Sequence, residues 1–251
     1  MRTGLQARIV QAAAAVATLV AVTATGASAA EPAPPSPPLR PVAPGPQHGY
    51  AALGDSFAAG IGAPPYPDAV CGRSENAYGP LLAGGLRPPT VFSFPACSGA
   101  RIADVLATQL EGLDHTTRLV TLTVGGNDIG FSRGLGACLQ GTEAECLAVT
   151  SAANATATLV VGGPLTELLA EIHRRAPHAR LLLVGYPLLF ELTQYCPGTP
   201  LSQVKRAALN STADTLDDVL AETARESRAT FVDVRAAFTG HGICSADPWV
   251  N

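Results

Sequence analysis

The chain has 251 residues, with 16 Lys and Arg against 20 Asp and Glu, for a formal charge of −4. Taking away Arg2 and Arg8 with the apparent leader lowers this by two, to −6, and so acidic a surface argues against nucleic acid as a partner. Six cysteines, all at or after position 71, suggest three disulfides formed in an oxidising compartment. Six cysteines allow 15 pairings, and their spacing alone does not choose among them. They form no CxxC and no His/Cys cluster at zinc-ligand spacing, so neither metal nor cofactor is expected.

At the N-terminus, Arg2 and Arg8 precede a mostly apolar run from Ile9 to Val22 and then Ala27-Ser28-Ala29. This is the layout of a secretory signal peptide over residues 1–29. The apolar run is shorter than the roughly 20 residues that span a bilayer, so a secreted, extracellular protein without stable membrane insertion is expected. Residues 30–47 contain EPAPPSPPLRPVAPGPQ, a proline-rich stretch that can extend but cannot bury a core. Residues 48–251 are long enough for one domain, expected to act as a monomer.

Within that domain, runs rich in Val, Leu, Ile and Phe predict strands at Tyr50–Leu53, Val91–Phe94, Leu119–Val124, Arg180–Val184 and Thr230–Val234. They lack polar alternation, as strands buried on both faces should. Helical composition lies between them at Ile102–Leu110, about Ser151–Arg175 and Leu201–Ser227, with Gly162-Gly163-Pro164 expected to kink or divide the second. The alternation predicts an α/β fold: a single three-layer domain with a parallel, roughly five-stranded doubly wound sheet. Chemistry in such folds gathers at the carboxyl ends of the strands.

Three short segments fall there. Gly54-Asp55-Ser56 would place a serine hydroxyl and its own N–H at a strand-to-helix turn, although an ordinary serine N-cap reads the same way. Cys97-Ser98-Gly99 offers a glycine N–H that no side chain shields, and Gly125-Gly126-Asn127-Asp128 offers an amide donor. Taken singly, both are also plain turns.

Together, ALGDSFAAGIG, CGRSENAYGPLLA, FPACSGA, LTVGGNDIGF and FTGHGICSADPW resemble the SGNH hydrolase superfamily, the GDSL lipases and esterases, and within it the secreted actinobacterial lipases. The resemblance implies a serine esterase acting on small-molecule or lipid esters, with Ser56 as nucleophile. The Ser56 and Gly99 N–H groups and the Asn127 amide would form the oxyanion hole. It also implies the pairs Cys71 with Cys97, Cys138 with Cys146 and Cys196 with Cys244.

The family's base is a histidine after the last strand, three residues beyond an Asp. Counted from Asp247, that position is Val250. The domain is therefore expected to be C-terminally incomplete, without a final helix over one sheet face, and apolar surface should be exposed there. His241, in the loop after the fifth predicted strand, is the stand-in candidate. Two other readings follow: an inactive extracellular binding module, and a polysaccharide deacetylase. The single Trp and five Tyr give the latter no evident sugar platform.

Overall fold

Strands β1 (His48–Gly54), β2 (Thr90–Ser93), β3 (Thr117–Thr123), β4 (Arg180–Val184) and β5 (Thr230–Val232) pair in parallel, in the order β2-β1-β3-β4-β5. The computed structural model describes residues 48–250. The expected leader and the proline-rich segment, residues 1–47, lie outside the described residues. Strand order reverses between β1 and β3, so the crevice at their carboxyl ends is a natural ligand site.

Helices connect the strands: α1 (Ser56–Ala59), α2 (Tyr78–Gly85), α3 (Ile102–Thr108), α4 (Phe131–Gln140), α5 (Glu143–Thr156), α6 (Gly162–Arg175) and α7 (Gln203–Glu226). One sheet face presents Leu53, Val120, Leu122, Leu181 and Leu183 to α3, α6 and α7, whose Val105, Leu165, Leu168, Ile172, Leu216 and Leu220 complete the main core. On the opposite face, the Tyr50 ring lies 5.0 Å from Phe92. The Tyr50 and Tyr78 hydroxyls pair with Thr121 and Thr123 at 3.0 and 2.9 Å. That face is not open along β1 and β3, where Tyr50, Ala52, Thr121 and Thr123 are buried, while Leu119 and Leu182 beside them are half-buried.

The sequence underestimates the long helical run. It begins at Glu143, not near Ser151, because Thr142 and Glu145 form a reciprocal cap: the Thr142 hydroxyl accepts from the Glu145 N–H at 3.2 Å, and the Glu145 carboxylate accepts from the Thr142 N–H at 2.7 Å. The division expected at Gly162-Gly163-Pro164 appears just upstream, as a π turn at Ala157–Val161, and α6 follows directly. Pro164 has no N–H to give an i−4 carbonyl, so a local change of helical register next to it is understandable. By length and hydropathy Glu143–Arg175 could cross a membrane. Its buried stripe, including Cys146, Ala153, Val161, Leu165 and Ile172, instead packs within the protein.

Three disulfides, Cys71–Cys97, Cys138–Cys146 and Cys196–Cys244, join elements that the sheet alone leaves separate. The first ties the segment after α1 to the loop after β2. The second ties α4 to α5, and the third ties the loops after β4 and β5.

Close approach dictates glycine at two strand ends. At Gly54, with φ of 128°, an added Cβ would stand 2.0 Å from the Thr123 carbonyl oxygen. At Gly185, just past β4, it would stand 2.6 Å from Asp217 Oδ2 and 2.7 Å from the Phe231 ring. Gly185→Ala is therefore expected to destabilise the protein by about 1–3 kcal/mol, the usual range for overpacking. Urea unfolding would show this as a lower midpoint, and an unchanged midpoint would mean that Asp217 and Phe231 yield freely.

Candidate active site

The rim of the sheet is built outward from Asp55. This residue ends the β1 turn and caps α1, its Oδ1 accepting the Phe57 N–H at 3.0 Å, while Gly60 in the left-handed region closes the helix after one turn. Ser56 follows Asp55 immediately. Its side chain is half-buried, and its hydroxyl makes no hydrogen bond among the described residues. As the first residue of the helix, Ser56 also has an N–H with no carbonyl one turn back to receive it.

Gly99 lies beyond the Cys71–Cys97 link. Two backbone bonds fix its loop: Cys97 N–H to the Gly54 carbonyl at 3.0 Å and Ser98 N–H to the Cys71 carbonyl at 2.9 Å. Gly99 has φ of 84°, with open space where a side chain would be. From the third loop, Asn127 Nδ2 donates to the Ala100 carbonyl at 2.9 Å, which leaves its second amide hydrogen. Asp128 accepts the Ile102 N–H at the start of α3, at 3.2 and 3.3 Å to its two oxygens. Adjacent residues of the β3 loop thus hold the backbone on either side of Arg101, which joins the Gly99 loop to α3.

Beside Ser56 and Asn127 a narrow cleft opens. Its walls are largely apolar, with Phe57, Phe131, Leu189 and Leu216 among them, and Tyr186 and Pro187 also line it. Gly99 lines a different part of the rim and does not border this cleft.

No histidine lines the cleft. His241 sits in the loop after β5, its Nδ1 2.9 Å from the Asp247 carbonyl oxygen and its ring stacked on Trp249 at 3.6 Å. The loop itself is fastened to the one after β4: Glu191 Oε1 accepts the Gly240 and Gly242 N–H groups, and Ile243 N–H donates to Leu189. Val250 is half-buried against the cluster around Leu189 and Phe190.

Sequence reasoning did not single out Asp55, Tyr186 or Asp217, yet they brace the rim. Tyr186 donates to Asp55 Oδ2 at 2.5 Å and accepts the Gly126 N–H at 3.0 Å. Its own N–H donates to Asp217 Oδ1 at 2.9 Å. An Asp directly ahead of a one-turn helix is a legible N-cap signal; nothing local marks Tyr186 as its partner, 131 residues away.

Burial pushes the Asp55 carboxyl up to about 7, against hydrogen bonds from Tyr186 and Phe57 that favour its ionised form. Burial likewise pushes Asp217 to about 7, opposed by the Tyr186 N–H and the Arg235 guanidinium. In an unfolded chain each would titrate near 3.9. The folded protein therefore keeps these protons between about pH 4 and 7 while the unfolded chain loses them. Their contribution to stability is full below pH 4 and is lost as pH rises through 7. Unfolding free energies measured by urea from pH 4.5 to 7.5 should fall by a few kcal/mol from this source, and Asp55→Asn should remove roughly half of that slope. An identical slope in the variant would mean that Asp55 ionises normally.

A model of the family described as GDSL-like Lipase/Acylhydrolase matches residues 52–250. Lipase 1 of Streptomyces coelicolor is 40% identical over 210 residues, covering 83% of this chain and 77% of that protein. A lipase of Streptomyces rimosus is 40% identical over 205 residues, covering 80% and 75%. Among solved structures, phospholipase A1 from Streptomyces albidoflavus superposes with a TM-score of 0.78 at 39% identity, covering 80% of this chain and 86% of that one. The extracellular lipase of Streptomyces rimosus gives 0.77 at 39% identity, with the same coverage.

Proposed function

Because this chain belongs to the GDSL-like lipase/acylhydrolase family and is a carboxylic ester hydrolase, we propose that Ser56 is its nucleophile and that lipid acyl esters are its substrates. The observation that carries the assignment is the junction of the β1 and β3 loops, where an unbonded serine hydroxyl and an amide donor share an apolar cleft. Ser56 Oγ attacks the ester carbonyl, and the alcohol departs with a proton. Water then releases the acyl group from the serine.

As the carbonyl becomes tetrahedral its oxygen takes up negative charge. The Ser56 N–H, the Gly99 N–H and the second Asn127 amide hydrogen come from three strand-end loops and supply the compensating dipoles. Donors held in place beforehand stabilise that charge without reorganising, each by about 2.7 to 4 kcal/mol. Phe57, Phe131, Leu189 and Leu216 suit a hydrocarbon chain better than a sugar, which favours lipid esters over acetylated polysaccharide. Relatives named as lipases and a phospholipase A1 point the same way. Secretion is part of this reading, supported by the leader-like first 29 residues and by a relative described as extracellular.

The serine needs a proton acceptor, and His241 is the candidate that the rim offers. His48, His115 and His178 lie at or before the amino ends of strands, and His173 is in α6 against the Ser227 carbonyl. If His241 Nδ1 donates to the Asp247 carbonyl, its Nε2 carries the lone pair a base requires.

Hydrolysis of p-nitrophenyl esters of short and long acyl chains tests these assignments. Ser56→Ala should abolish turnover, and Asn127→Ala should lower kcat by about 10²–10³-fold with the folded spectrum intact. His241→Ala should match Ser56→Ala if His241 is the base, whereas an unimpaired variant would assign the proton transfer to another group. Persistence of full activity in Ser56→Ala would refute the nucleophile.

A further inference from the structure

Tyr186 stands two residues past the end of β4 and is 6% exposed. Its hydroxyl has one proton, which goes to Asp55 Oδ2 at 2.5 Å once that carboxyl is ionised, because a carboxylate can only accept. The phenol oxygen is left to accept, and the Gly126 N–H fills that role at 3.0 Å. Asp55 is thereby held at both oxygens, by Tyr186 on one side and the Phe57 N–H on the other. Ser56 sits between Asp55 and Phe57 in the chain, and Asn127 directly follows Gly126.

The base of the tyrosine is fixed too. Its N–H is bonded to buried Asp217 of α7, Gly185 before it has no room for a side chain, and its ring meets Phe57 edge-on at 5.0 Å. A rigidly mounted hydroxyl thus joins the turn of the serine to the loop of the amide donor.

We propose that Tyr186 is a positioning residue for ester hydrolysis, its hydroxyl setting the spacing of Ser56 and Asn127 through Asp55 and Gly126. This rests on the reading of Ser56 as nucleophile and Asn127 as oxyanion donor. The hydroxyl itself is committed to two protein partners and touches neither reacting atom. Misplacing one loop relative to the other weakens contacts that matter most in the transition state, so the loss belongs in kcat and not in KM.

Asp55 is faced by Tyr186 from the β4 loop, by Asp128 from the β3 loop and by Tyr78 from α2, while Asp217 and Arg235 lie behind Tyr186. Among these, the Tyr186 hydrogen bond favours the ionised carboxylate. Removing it raises the pH at which Asp55 gives up its proton.

Tyr186→Phe keeps the ring against Phe57 and deletes only the hydroxyl. The test follows hydrolysis of p-nitrophenyl butyrate from pH 5 to 9 and, in the ¹⁵N-labelled protein, the amide resonances of Phe57 and Gly126. The expected result is a kcat lowered by about 10- to 100-fold with KM within about twofold. The Phe57 amide should titrate at higher pH than in the parent, and the Gly126 amide should cease to follow Asp55.

Asp55→Asn supplies a second route should Tyr186→Phe not fold. It presents a donor or a neutral acceptor to the hydroxyl, and it should lower kcat similarly while abolishing the shared titration. An unchanged kcat, a loss confined to KM, or amides that titrate as in the parent would overturn the proposal. A parent protein without turnover would instead sink the assignment of Ser56, and the two amide titrations would still decide whether Tyr186 joins the loops.

Discussion

A carboxylate sealed from water has to be bonded on all sides, and at the rim of this sheet that obligation falls on Asp55. Leaving a buried polar group short of partners costs about 1–3 kcal/mol, and more once it is charged, so its neighbours are not free to drift. Phe57 must keep its N–H on one oxygen and Tyr186 its hydroxyl on the other. The serine between Asp55 and Phe57 inherits that rigidity although its own side chain has no partner. Order is imposed on the serine from beneath, while its other side borders the cleft.

The remaining braces extend the same logic outward. Asn127 and Asp128 grip the backbone on either side of the residue linking the Gly99 loop to α3. Cys71–Cys97 secures that loop to the segment that follows the serine. A parallel sheet forces each of these loops to come from a distant part of the sequence, because every strand must return over a face of the sheet before the next begins. Covalent and polar ties between loops replace the short hairpins that an antiparallel arrangement would have provided.

How much of this could be read in advance depends on range. Composition locates all five strands; the central ones carry uninterrupted apolar runs such as Leu181–Leu183, although the edge strands β2 and β5 are only partly buried. The segments holding Ser56, Gly99 and Asn127 fall at strand ends, where doubly wound sheets gather their chemistry, but it is their joint resemblance to the GDSL lipases that sets them apart from plain turns. Helix α4 passes unnoticed, since Gly134 and Gly136 dilute its helical composition, and the start of α5 is missed although Thr142 and Glu145 spell a cap. Pairings between far-apart side chains are illegible. Asp55 looks like a simple cap and Tyr186 like a core aromatic until the fold puts them in contact.

The 131 residues separating Asp55 from Tyr186 also govern when the site can exist. Contacts of such long range form late, after the intervening chain has paid its loop-closure entropy, and they slow folding as a class. A chain emerging amino-end first has its serine early but no tyrosine to hold it until four of five strands are made. The Ser56 turn is braced only once β4 is in place, so a partly synthesised or partly unfolded chain has the motif without the geometry.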